Sequence, residues 1–150
     1  MTALAQIINR IRGLLDFFAW LPPLIARITV GWVFVESGWG KLHHLDKVTG
    51  FFTDLGLPAP AFHAHLVATT EFAGGLLLLA GLFTRIASVP LTIIMFVAIA
   101  TAKKSELHGF SDLIGFSEYL YMVLLAWLIV SGPGLLALDS LIARKLKRLD

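Results

Sequence analysis

The sequence predicts an all-α membrane protein: an antiparallel four-transmembrane-helix bundle with amphipathic interfacial segments at both termini. Three observations carry that prediction. Hydrophobic residues make up 57% of the chain and charged residues only 15%, against the roughly half-apolar, quarter-charged balance of soluble domains. The apolar residues fall in four blocks, each close to the ~20 residues that cross ~30 Å of hydrocarbon at a helical rise of ~1.5 Å. Both ends of the chain carry shorter stretches whose apolar residues recur at helical spacing beside basic ones. Residues 1–150 are expected to form one membrane domain, since the apolar blocks leave no stretch among them for a separate soluble one.

Residues 1–21 are the first interfacial segment. Leu4, Ile7, Ile8, Ile11, Leu14, Leu15 and Phe18 share one helical side, with Gln6, Asn9, Arg10 and Asp16 mostly on the other. This pattern lies on a bilayer rather than across it. A secretory signal is disfavoured because the charges fall inside the apolar pattern and no small-residue cleavage site follows. Pro22 and Pro23 suit the first turn of the next helix, where a missing N–H costs little. The spans are expected at about 22–42, 64–83, 86–102 and 119–138. Thr84 and Arg85 leave room only for a tight turn between the second and third. Longer connections at 43–63 and 103–118 sit on the other face, where the Gly56 and proline stretch favours turns over a continuous helix. Residues 139–150 form a basic interfacial tail suited to anionic lipid.

Lys and Arg outside the spans orient the bundle. The N-terminal segment, the 84–85 turn and the tail carry Arg10, Arg12, Arg85, Arg144, Lys145, Lys147 and Arg148, seven in all. The other face carries Lys41, Lys47, Lys103 and Lys104, which is four. The positive-inside rule then puts both termini in the cytoplasm and His43, His44, His63, His65 and His108 outside. A formal charge of +2 gives no reason to expect a nucleic-acid partner. With no cysteine, thiolate-bound clusters and thioether-linked haem are excluded, so no covalently attached cofactor is expected. The histidines come from separate stretches with no compact zinc spacing, so no metal site is assigned.

The functional candidates are the charges inside the spans. Glu36 and Glu71 lie at similar depth on consecutive helices and are expected to meet in the bundle as a proton-handling pair. Ionised carboxylates in hydrocarbon face the interior and are paired, protonated or wet. Lys41 and Lys103 are the available cations, and Trp32 and Trp39 line the expected pocket. Arg27 and Arg85 are expected to be structural. Glu71, Gly74, Gly75, Leu78 and Gly81 form a stripe, and small residues let membrane helices approach closely. Gly31, Gly38 and Gly40 supply the facing side. The competing reading makes Glu36, Glu71, Lys41 and Lys103 structural glue that sets helix register.

Arg27, Gly31, Phe34, Gly38, Lys41 and Leu42 are followed by Gly56-Leu57-Pro58. Glu71, Gly74, Gly75, Gly81, Leu82, Thr84 and Arg85 come next, and Gly132-Pro133-Gly134 with Asp139 completes the series. Over roughly residues 24–140, this ordered set resembles the DoxX family of small membrane proteins. The resemblance implies a four-helix protein of the bacterial inner membrane. It also implies a redox neighbourhood, since relatives include the membrane subunit of a quinone-linked thiosulfate oxidoreductase. Glu71 matches the family position, whereas Glu36 departs from an apolar one.

Three function classes follow. The first is a redox-associated component or oxidoreductase membrane subunit, using quinone, in which a carboxylate takes or gives the accompanying proton. Its electrons come from an oxidoreductase partner or a noncovalent cofactor. The second is a non-catalytic scaffold that docks partner proteins. The third is a small proton-coupled transporter, which needs a homo-oligomer because four spans enclose little space.

Overall fold

The computed structural model describes residues 3–146 and, within them, the side chains of residues 7–142 and Lys145. Among the described residues, eight α-helices follow one another: α1 (Ala3–Phe18), α2 (Leu21–His43), α3 (Leu45–Asp54), α4 (Pro60–Ala80), α5 (Thr84–Thr101), α6 (Phe110–Gly115), α7 (Ser117–Ser131) and α8 (Leu138–Leu146). A 3-10 turn, Lys104–Glu106, links α5 to α6. No strand occurs among the described residues. Among the described residues, three helical stretches are long and apolar enough to cross a membrane: Ile7–His43, Pro60–Ala80 and Thr84–Thr101. The fourth apolar helix, α7, is shorter at 15 residues.

The amphipathic start is seen as α1, with Ile7, Ile8, Ile11, Leu14, Leu15 and Phe18 all exposed. Elsewhere the boundaries move for identifiable reasons. The fourth apolar helix stops at Ser131 rather than continuing to 138. Gly132 and Gly134 both adopt φ of +80° around Pro133, a backbone that no helix continues. α4 ends at Ala80, where Gly81 turns left-handed at φ +68°. α5 starts two residues earlier than expected, at Thr84. The 43–63 connection contains the helix α3, and only 55–59 is the turn expected there. Pro60 opens α4 at its first turn, four residues earlier than expected. Lys147, Arg148 and the side chain of Arg144, all part of the charge count, lie outside the described residues.

Helices α2 and α4 pack along a glycine seam, as the sequence stripe leads one to expect. A Cβ on Gly75 would stand 2.7 Å from the Val35 amide nitrogen and 2.8 Å from the Gly31 carbonyl. One on Gly38 would run into the Phe72 backbone and lie 2.9 Å from the Ala68 carbonyl. Gly74 faces the other way and receives Leu91 of α5. The apolar centre is Val30, Phe34, Leu78, Leu91, Leu125 and Leu128, drawn from α2, α4, α5 and α7 and fully buried. Gly40 lies outside the seam, with open space where its Cβ would be.

Candidate functional site

The α2–α4 seam holds one carboxylate. Glu71 is 1% exposed, placed on the buried side of α4 by the stripe that also carries Ala68, Gly75 and Leu78. Facing it on α2 are Ser37 and Lys41, one helical turn apart and therefore neighbours on the helix surface. The Ser37 hydroxyl donates to Glu71 Oε2 at 2.9 Å, and Lys41 Nζ donates to Ser37 Oγ at 2.8 Å. Lys41 also pairs directly with Glu71 Oε2. The carboxylate is sealed while the ammonium retains 29% side-chain exposure, so a buried charge connects to the rim through a cation. Ion pairs removed from water persist only with further hydrogen bonds to complete them, and Ser37 supplies one.

Glu36 does not belong to this group. It is exposed, and the two ion pairs among the described residues, Lys41–Glu71 and Lys103–Glu106, leave it out. The reason is helical phase. Phe34 and Gly38, which face the bundle, are each two positions away, a rotation of ~200° at ~100° per residue. The expected Glu36–Glu71 pair is therefore replaced by Lys41–Ser37–Glu71. Lys103 is also elsewhere: it bonds Glu106 at 3.1 Å and lies over the Phe116 ring. Trp32 and Trp39 share the outward side of α2 at 62% and 54% exposure. Trp39 packs against Phe72, with ring centroids 5.5 Å apart, and against His43 at 4.2 Å.

A second polar group closes the other end of the bundle. Arg27 is 3% exposed and donates from Nη1 to Pro133 O at 3.3 Å and from Nη2 to Leu136 O at 2.8 Å. The guanidinium fork so gathers two carbonyls of the non-helical stretch that follows α7. Asp139 accepts from the backbone N–H groups of Phe83 at 2.9 Å and Thr84 at 3.1 Å, capping the start of α5 from a different helix. Its own N–H returns to Gly81 O at 3.0 Å. Gly81 must lack a side chain, because any Cβ there would collide with the Arg27 guanidinium and Ala137. Arg85 is exposed yet bonds Val130 O at 3.1 Å. An open depression of about 410 Å³ between Phe83, Arg85, Ile86, Pro133, Asp139 and Ser140 belongs to this latch. It lies more than two helical turns from Glu71.

His43, His44, His63 and His65 each engage a backbone carbonyl of their own helix or the turn before it. No group of three or more metal-capable side chains gathers among the described residues.

With this geometry in place, comparison with known proteins is informative. The DoxX family matches residues 23–104, more than half the chain. The chain belongs to the DoxX family. The match begins at the buried first turn of α2 and covers Arg27, the glycine seam, Glu71, Lys41 and the α4–α5 turn. Among its relatives, "Uncharacterized membrane protein Rv3486" of Mycobacterium tuberculosis is 36% identical over 140 residues, covering 83% of this chain and 84% of that protein. "Putative oxidoreductase CatD" of Bacillus subtilis is 32% identical over 121 residues, covering 79% and 85%. "Inner membrane protein YqjF" of Escherichia coli is 30% identical over 128 residues, covering 81% and 92%. No solved structure matches the chain.

Sequence reasoning overlooked Ser37, although its i, i+4 relation to Lys41 marks the shared face. It also gave no role to Asp139, whose partners are backbone N–H groups 55 and 56 positions away in the chain. No local spacing signals such a contact.

Proposed function

We propose that this DoxX protein is the membrane-embedded part of a quinone-linked redox system, with Lys41, Ser37 and Glu71 as its proton-handling group. The observation that carries the reading is the hydrogen-bonded line from partly exposed Lys41 through Ser37 to sealed Glu71. One bundle thus holds a donor at the rim and an acceptor behind it, the arrangement a proton-coupled step requires. The residues fit a quinone carbonyl only at the rim. Between α2 and α4 the glycine contacts leave no room, whereas Lys41 keeps free surface at the rim. A quinone bound there would supply the electron acceptor. Lys41 would hydrogen-bond the carbonyl oxygen and pass it a proton as the partner's electrons arrive, and the neutral amine would recover a proton from water at the rim, restoring its pair with the Glu71 carboxylate. Electrons must come from an oxidoreductase partner, a role consistent with the name of the Bacillus subtilis relative.

The proposed setting is the bacterial inner membrane, named for the Escherichia coli relatives. In that setting α2, α4, α5 and α7 form a four-span antiparallel bundle with both termini cytoplasmic. The test is mass spectrometry of protein extracted gently from native membranes, comparing wild type with Glu71→Gln and Lys41→Gln. Quinone retained by wild type and lost from folded variants supports the reading. A second reading, a partner-docking scaffold, is favoured by the closeness of the glycine seam. It predicts variants that lose a partner or stability while wild type carries no quinone.

A further inference from the structure

The outward side of α2 carries an arrangement the proton-handling group does not use. Trp32, Glu36, Trp39 and His43 stand at i, i+4, i+7 and i+11, which at ~100° per residue keeps all four within a sector of ~60°. That sector is turned away from Phe34 in the apolar centre and from Gly38 in the seam. Glu36 lies four residues from the middle of Leu21–His43, or ~6 Å along the axis. With a hydrocarbon half-thickness of ~15 Å, this is well inside the apolar layer. An ionised carboxylate there is costly unless it is paired, and without a cation it is held as the neutral acid. The chain offers it no cation among the described residues: Lys41 is committed to Glu71, Lys103 to Glu106, and Arg27 is nine positions away on the latch.

The flanking side chains indicate what completes the charge. Both indoles are more than half exposed, and indole faces attract cations, best among the aromatic side chains. Trp39 is held in place by Phe72 and His43, so one wall is preformed. We propose that Trp32, Glu36 and Trp39 form a lipid-facing binding site for a lipophilic organic cation, a delocalised or quaternary positive charge inside an apolar body. A phospholipid headgroup cannot serve, because it stays at the membrane surface. A second copy of the chain in the same orientation would bring its own Glu36 to the same depth, adding like charge rather than removing it. The site is separate from the redox reading, which places its chemistry on the opposite side of α2.

The probe is radiolabelled tetraphenylphosphonium, measured at equilibrium with the protein in phosphatidylethanolamine–phosphatidylglycerol nanodiscs and corrected with empty discs. Wild type is expected to bind it saturably, and Glu36→Gln to bind at least tenfold more weakly. Trp32→Leu and Trp39→Leu are each expected to lose roughly two- to fivefold, the size of an exposed cation–π contact. Asp46→Asn, which removes an exposed carboxylate from α3, is expected to change nothing. Trp32→Leu keeps the test open if Glu36→Gln does not fold, since lipid tolerates either side chain. Absence of saturable binding, or equal binding by Glu36→Gln, overturns the proposal. It is also overturned if Gly40→Cys, in a chain otherwise free of cysteine, crosslinks completely to a second copy while wild type binds no cation.

Discussion

A single methyl group at Gly38 should open the Lys41–Ser37–Glu71 group. In Gly38→Ala the new Cβ meets the Phe72 amide, with Phe72 Cα at 2.8 Å and Ala68 O at 2.9 Å. All three are backbone atoms, so no side chain can rotate to make room. Helices α2 and α4 must separate by roughly 0.5–1 Å, enough to forfeit a quarter to a half of each dispersion contact across the seam. Overpacking of this kind costs ~1–3 kcal/mol, and backbone collision puts Gly38→Ala at the upper end. The better helix propensity of alanine returns ~1 kcal/mol, leaving a net loss of about 2 kcal/mol. For a chain of this size that lowers Tm by roughly 4–8 °C. The same separation stretches the 2.9 Å Ser37–Glu71 bond past hydrogen-bonding range. The assay is thermal unfolding in one detergent, with Gly40→Ala as the internal control. Nothing lies within 4 Å of a Cβ at Gly40, so that variant should be unchanged or up to ~1 kcal/mol more stable. Equal melting of Gly38→Ala and wild type would refute the close-packed seam.

Other perturbations address the latch and the rim. Arg27→Lys keeps the charge but cannot span Pro133 O and Leu136 O together, so it should cost about 2–3 kcal/mol in the same unfolding assay. Asp139→Ala removes the cap of α5 and should cost ~1–2 kcal/mol, with the Phe83 and Thr84 amides becoming fast in hydrogen exchange. Lys103→Ala should shift stability by no more than ~0.5 kcal/mol, since its pair with Glu106 is solvent-facing.

Much of this architecture was readable from the order of residues. Apolar block length marked α2, α4 and α5, and the Glu71–Gly74–Gly75–Leu78 stripe marked the buried side of α4, because small residues at that spacing have little use except close approach. The partner of Glu71 was harder to read. Depth along the axis places Glu36 and Glu71 at one level, but facing depends on rotation, and two residues' difference turned Glu36 outward. Lys41 was recognisable as a cation near the right level, whereas Ser37 was hidden beside the more conspicuous glutamate. The end of α7 was misjudged because Leu135, Leu136 and Leu138 continue the apolar run past the Gly-Pro-Gly break. There backbone geometry prevails over hydropathy. The Asp139 cap joins positions too distant in sequence for any local pattern to connect.

The division of labour between the two carboxylates is tested most directly with dicyclohexylcarbodiimide, a carboxyl reagent that reaches proteins from the lipid phase. Native membranes are labelled and the modified peptides mapped by mass spectrometry. Glu36, exposed on the outward side of α2, should be modified, while Glu71, sealed behind Ser37 and Lys41, should remain unlabelled until the protein is unfolded. Labelling of Glu71 in the folded protein, with Glu36 spared, would contradict the account.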